Sequence, residues 1–112
     1  MSFKIVEDTI KGLFRALILW LLSKKPMYGY ELLKNLSSIL DGKICPSVVY
    51  TLLYKLEEAK LIEGKWKSIG KRRKVRYYVI TSEGQAVLQK IREKISGKLK
   101  HFIEELLEEQ SS

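Results

Sequence analysis

Apolar positions along the 112-residue chain recur at helical spacing, switch to alternation, and then return to helical spacing. Ile10, Leu13, Phe14, Leu17, Ile18, Leu21 and Leu22 lay one apolar stripe along a first helix from about Asp8 to Ser23. Pro26 closes it, since proline lacks an amide donor and disfavours helical geometry in Lys25. Tyr28 to Leu32 opens a second helix with Leu32, Leu33 and Leu36 turned inward, ending near Asp41 and Gly42. A third starts at Pro46, where the missing donor costs nothing, and buries Val49, Leu52, Leu53 and Leu56.

After Lys60 the period falls to about two, the spacing of a strand. Leu61 and Ile62 enter a first strand that contains Trp66, and Val75 to Ile80 forms the return strand, rich in β-branched and aromatic residues. Gly70 followed by Lys71, Arg72, Arg73 and Lys74 supplies the turn between them. The final segment is helical again. Thr81 or Ser82 caps its start, with Ser82 and Gln85 at capping-box spacing. Leu88, Ile91, Ile95, Leu99, Phe102 and Leu106 then recur at a mean step of about 3.6 residues.

A helix of about 28 residues would be roughly 40 Å long, more than a core of this size covers. Its stripe has two readings: it meets the same helix of a second copy in a two-fold dimer, or it folds back over the first helix. An exposed stripe of that length is an aggregation hazard, which favours the homodimer. The pattern therefore predicts a mainly α chain with a small β-hairpin (α+β). Its architecture is a winged helix-turn-helix over residues 1–81 followed by a long C-terminal dimerisation helix over residues 82–112, the two forming one compact unit.

Charge adds a partner to this picture. The formal net charge is +8, but Glu104, Glu105, Glu108 and Glu109 crowd the end of the chain, so residues 1–102 alone carry +12. Seven Lys or Arg residues and no acid lie between Lys65 and Arg76, a density suited to a polyanion. On the third helix the residues outside or at the margin of the apolar stripe are Ser47, Val48, Tyr50, Thr51, Tyr54 and Lys55. Such hydroxyls, phenols, methyls and cations suit base edges and thymine methyls in a major groove. Tyr50, at the margin, fits core or contact equally well. Lys71, Arg72, Arg73, Lys74 and Arg76 would track flanking phosphates or reach the minor groove. Double-stranded DNA is the expected partner. The alternative is a winged-helix protein-docking module or a nonspecific architectural nucleic-acid-binding protein.

Other chemistries find little support. The longest apolar run, Ala16 to Leu22, is too short for a membrane helix, and Ser23-Lys24-Lys25-Pro26 offers no signal-peptide cleavage site. Together with the lone Cys45, this points to a reducing cytoplasm. Cys45 reads as a small buried residue, with a redox sensor ahead of the third helix as the competing reading. His101 has no cysteine or clustered acid beside it, so no metal site, cofactor or catalytic group is expected.

Four blocks of the sequence resemble the PadR family of transcriptional regulators. Leu19-Trp20-Leu21-Leu22 followed by Pro26-Met27-Tyr28-Gly29-Tyr30-Glu31-Leu32 is similar to that family's opening signature. Tyr50 to Glu57 resembles its recognition helix, Leu61-Ile62 its entry to the wing, and Arg76 to Thr81 with Gly84 its wing exit. The resemblance spans about residues 13–88. It implies a dimeric DNA-binding repressor, in some relatives released by a small aromatic effector. Carried over by position, Tyr28 and Lys34 would approach phosphates from the second helix, and Tyr50, Thr51, Tyr54 and Lys55 would lie on the reading helix. Trp20 either fills core volume or, as in some relatives, lines a ligand pocket at the dimer interface. Ser47 and Thr51 replace a Gly and a Pro common in the family, so no operator sequence carries over.

Overall fold

The computed structural model describes residues 3–109, so Met1, Ser2 and residues 110–112 of the two expected segments lie outside the described residues. The elements in chain order are α1 (Phe3–Lys24), β1 (Met27–Tyr28), α2 (Gly29–Leu40), α3 (Pro46–Glu58), β2 (Ile62–Ile69), β3 (Arg73–Ile80), α4 (Ser82–Ile95) and α5 (Lys98–Glu108). This is the α+β winged helix-turn-helix that the pattern implied, with α2 and α3 as the helix-turn-helix pair and β2–β3 as the wing.

Helix α1 begins five residues earlier than its apolar stripe suggested and runs through the middle of the fold, touching α2, α3, α4 and β3. Being covered from several sides, its C-terminal half buries a broad sector comprising Phe14, Ile18, Leu19, Leu21 and Leu22. Leu19, outside the expected stripe, is therefore core, whereas Leu13 is 53% exposed. Leu32 and Leu36 from α2 and Val49, Leu52, Leu53 and Leu56 from α3 meet this sector and complete the hydrophobic centre. Pro46 occupies the first turn of α3. Glu31 Oε1 accepts the Tyr28 amide at 2.9 Å, which satisfies one donor at the start of α2.

The sheet is antiparallel with strand order β1-β3-β2. Strand β1 has no counterpart in the sequence pattern, because two residues cannot show an alternation. It exists through its partners, with Met27 opposite Tyr78 and Tyr28 opposite Tyr77. The wing ladder runs from Ile62 opposite Ile80 to Ile69 opposite Arg73. Its loop is Gly70-Lys71-Arg72, with Gly70 at φ +67°, while Arg73 and Lys74 belong to β3.

The cap of α4 is Thr81 rather than the Ser82–Gln85 box. Thr81 Oγ1 accepts the Gly84 amide at 3.0 Å and donates to the Lys60 carbonyl at 2.7 Å, tying the start of α4 to the turn between α3 and β2. A side chain at Gly84 would collide with the Leu61 carbonyl, so glycine is what lets α4 sit this close. The expected single long helix is instead two, separated at Ser96 and Gly97, where Gly97 adopts φ +83°. Leu88 is 4% exposed and belongs to the chain's own core, with Ile91 packed at its edge. The reading in which the stripe folds back over the first helix thus holds for α4, which packs on α1. Helix α5 has no buried residue and leaves Leu99, Phe102, Leu106 and Leu107 exposed. The molecule measures 58 × 29 × 23 Å along its principal axes.

Candidate nucleic-acid interface

Burial of Val49, Leu52, Leu53 and Leu56 turns the opposite side of α3 outward. Ser47, Tyr50, Thr51, Tyr54 and Lys55 are all exposed on it, and Val48 is half-buried at its margin. Tyr54, 64% exposed, donates its hydroxyl to Glu58 Oε2 at 3.3 Å. Tyr50 is neither core nor free contact. Its ring lies across the backbone of α2 at Gly29, where an added Cβ would stand 2.7 Å from Tyr50 Cε1. The glycine between Tyr28 and Tyr30 is therefore the seat of a tyrosine from the next helix.

Helix α2 contributes Lys34, exposed in a shallow polar depression with Tyr30, Asn35 and Ser38. Tyr28 is half-buried, stacked on Tyr30 with centroids 5.9 Å apart and edge-on to Tyr77 at 6.3 Å. Tyr30 is exposed and was missed by sequence reasoning; its place directly after a helix-seating glycine was the available signal.

At the wing, Lys71, Arg72, Arg73 and Lys74 are exposed and form no ion pair among the described residues. Arg76 differs from them. Its guanidinium is paired with Glu57 of α3, lies over Gly64 where any side chain would strike it, and stands 5.4 Å from the Trp66 ring centroid. Glu57 Oε2 also accepts the Gly64 amide at 3.2 Å. These contacts join the end of α3 to both strands of the wing, and they occupy the charge that the sequence had assigned to DNA phosphates. The Nε of Arg76 is buried without a partner among the described residues. Burial raises the phenol pKa of nearby Tyr78, against the opposing pull of the Arg76 charge.

Outward residues on α3, free cations at the wing tip and a bracket fixing one to the other form a surface for a grooved polyanion. A family model decides between this and a docking module: that of the transcriptional regulator PadR-like family matches residues 18–90. The chain belongs to the PadR-like family. It is accordingly a DNA-binding transcriptional regulator.

Solved structures agree with the PadR assignment. The chain is 29% identical to a PadR-like transcriptional regulator of Bacillus cereus, covering 92% of this chain and 99% of that one with a TM-score of 0.75. A candidate transcriptional regulator of Thermoplasma acidophilum is 26% identical, covers 93% and 99% of the two chains, and has a TM-score of 0.81. An uncharacterized protein of Lysinibacillus sphaericus is 31% identical over 87 residues, 76% of this chain and 80% of that relative.

Two further positions read from the sequence are placed by this PadR fold. Cys45 is exposed, not buried, because it is the residue immediately before α3; its Sγ lies 3.0 Å from Ser47 Oγ, and that hydrogen bond lowers the thiol pKa. Trp20 is partly exposed on the outer side of α1, with Lys24 Nζ 4.4 Å from its ring centroid. An aromatic-lined depression of about 440 Å³ lies elsewhere, bounded by Tyr28, Trp66 and Tyr77. No helix among the described residues is long and apolar enough to cross a membrane.

Proposed function

We propose that this PadR-family regulator is a homodimeric, cytoplasmic repressor that reads a pseudo-palindromic operator. Each copy inserts α3 into a major groove, and two copies address half-sites about one helical turn apart. The observation that carries this reading is the division of labour on the surface. The exposed phenols and hydroxyls of α3 can discriminate base edges, whereas the four wing-tip cations, unpaired among the described residues, are suited to the flanking phosphates. Tyr28, at the N-cap of α2, and Lys34 on α2 add backbone contacts. Dimerisation is supported by the exposed apolar residues of α5, together with Phe3, Ile5 and Val6 at the start of α1. Ile95, Leu99, Phe102 and Leu106 are the seam of that dimer, with Ile91 at its inner edge, while Leu88 stays in the monomer core.

The test is a binding titration on a duplex selected from a random-sequence pool, run across a salt series. Arg72→Ala with Arg73→Ala is expected to weaken selected and unrelated DNA alike and to flatten the dependence of log K on log salt by about two units per bound copy. Tyr54→Ala is expected to change which sequences are preferred and to leave the salt slope in place. An unaltered slope in the wing variant removes the wing from the phosphate contacts, and absence of any binding at low salt returns the fold to protein docking.

A further inference from the structure

The geometry points to a phosphate-binding pocket between α1 and α3, apart from the wing. It rests on the DNA-binding reading in taking its ligand to be a backbone phosphodiester of the bound duplex. Lys11 and Arg15, one turn apart on α1, face Ser47, Thr51 and Lys55, which succeed one another at four-residue intervals along α3. Together with the flank of Val48 they line a cavity of about 130 Å³, room for a single phosphate group. Three cations and two hydroxyls converge there, and no carboxylate is among the lining residues. None of the three cations forms an ion pair among the described residues, although Lys4, Lys65, Arg76 and Lys90 all do. Like charges gathered without an acid repel one another, and an anion seated among them relieves that repulsion. The donors also match the ligand: a guanidinium fork, two ammonium groups and two hydroxyls can share the oxygens of one tetrahedral phosphate.

Position gives the pocket its role. The other flank of α3, at Tyr50, faces Gly29 of α2 and the middle of the wing at Val75 and Arg76. A helix lying in a major groove has a sugar-phosphate strand on each side. The wing and α2 serve one strand, and the α1–α3 pocket serves the other. This makes α1, the central helix of the core, a part of the DNA interface. It also assigns Ser47, Thr51 and Lys55 to phosphate positioning, leaving base reading on α3 to its phenols.

The experiment compares the wild-type protein with Lys11→Gln/Arg15→Gln, both substituted side chains lying toward the surface of α1. The probe is the selected duplex carrying one neutral methylphosphonate linkage, moved position by position. For the wild type, one linkage per half-site is expected to weaken binding about tenfold. For the variant the same linkage should change affinity less than about twofold, with a salt slope shallower by about one per pocket. Arg72→Gln/Arg73→Gln should bind weakly yet keep its sensitivity at that linkage. If every neutral linkage affects wild type and Lys11→Gln/Arg15→Gln alike, the pocket holds no DNA phosphate.

A second arm titrates inorganic phosphate and follows the Ser47 and Thr51 amides by NMR. A saturating shift in the wild type that the variant lacks, combined with indifference to every neutral linkage, makes free phosphate the ligand and overturns the DNA assignment. Absence of duplex binding by the wild type at low salt removes the functional reading itself, and the phosphate titration then sustains or removes the pocket on its own.

Discussion

Tyr50 can lie across α2 only because residue 29 has no side chain. A methyl group there must displace the ring, and because the atoms it meets are the outer edge of a half-exposed side chain the cost is modest, about 1 kcal/mol. Gly29→Ala is expected to lower stability by that amount in urea unfolding, and a second substitution, Tyr50→Ala, should recover most of the loss. Gly84→Ala meets the backbone carbonyl of Leu61, which no side-chain substitution can move aside, so its larger loss should have no such rescue. Tyr78 carries a pH prediction. Its folded-state pKa is raised by burial, so the folded protein holds the proton more tightly than the unfolded chain. The associated stability is present below the ordinary tyrosine value of about 10 and is lost as pH rises through the folded value. Tyr78→Phe should match the wild type at pH 7 and show a shallower loss of stability in alkaline melts.

Between elements, the bracket of Glu57, Arg76 and the Gly64 amide sets the wing against α3. Both side chains of the pair are about one-third exposed, so solvent screens the pair and its loss should cost about 1–2 kcal/mol, below that of a fully buried pair. Glu57→Gln also makes the protein more positive, which by charge alone would strengthen DNA binding. The bracket predicts the reverse: affinity for the selected duplex should fall, with most of the loss in preference over unrelated sequence. Equal or tighter binding of Glu57→Gln would show that the wing needs no such positioning. The sequence offered Arg76 only as one more cation in a basic run. Its partner lies 19 residues earlier on another element, and nothing in local spacing connects the two.

At the scale of the whole molecule, the apolar stripe of the last segment is buried at Leu88 and exposed from Ile95 onward. Leu88 closes the monomer core under α1, and Leu88→Ala should cost about 2–5 kcal/mol in unfolding experiments. Leu99 and Phe102 stand in the open, 47% and 61% exposed. Leu99→Asp/Phe102→Asp is therefore expected to leave the helical signal in circular dichroism intact while converting dimer to monomer in analytical ultracentrifugation. DNA affinity should fall with it, since two linked half-sites become two separate binding events. A monomeric wild-type protein would remove the seam proposed on α5.

Element types and their order were legible in the chain because they follow from local rules. Periodicity marked the helices, Pro26 and Pro46 punctuated them, alternation marked the wing, and a basic run with no acid announced a polyanion. The outward residues of α3 were legible for the same reason, since a helix that buries one side must expose the other. What only the tertiary structure decided depends on distance between elements. Strand β1 exists through Tyr77 and Tyr78, Cys45 is exposed because of where α3 begins, Arg76 is held by Glu57, and the stripe divides where Gly97 turns the backbone. Lys11 and Arg15 meet Ser47, Thr51 and Lys55 only because α3 is packed beside α1. A one-dimensional pattern specifies which face of each element is apolar, but the neighbours of its polar groups are specified only by packing.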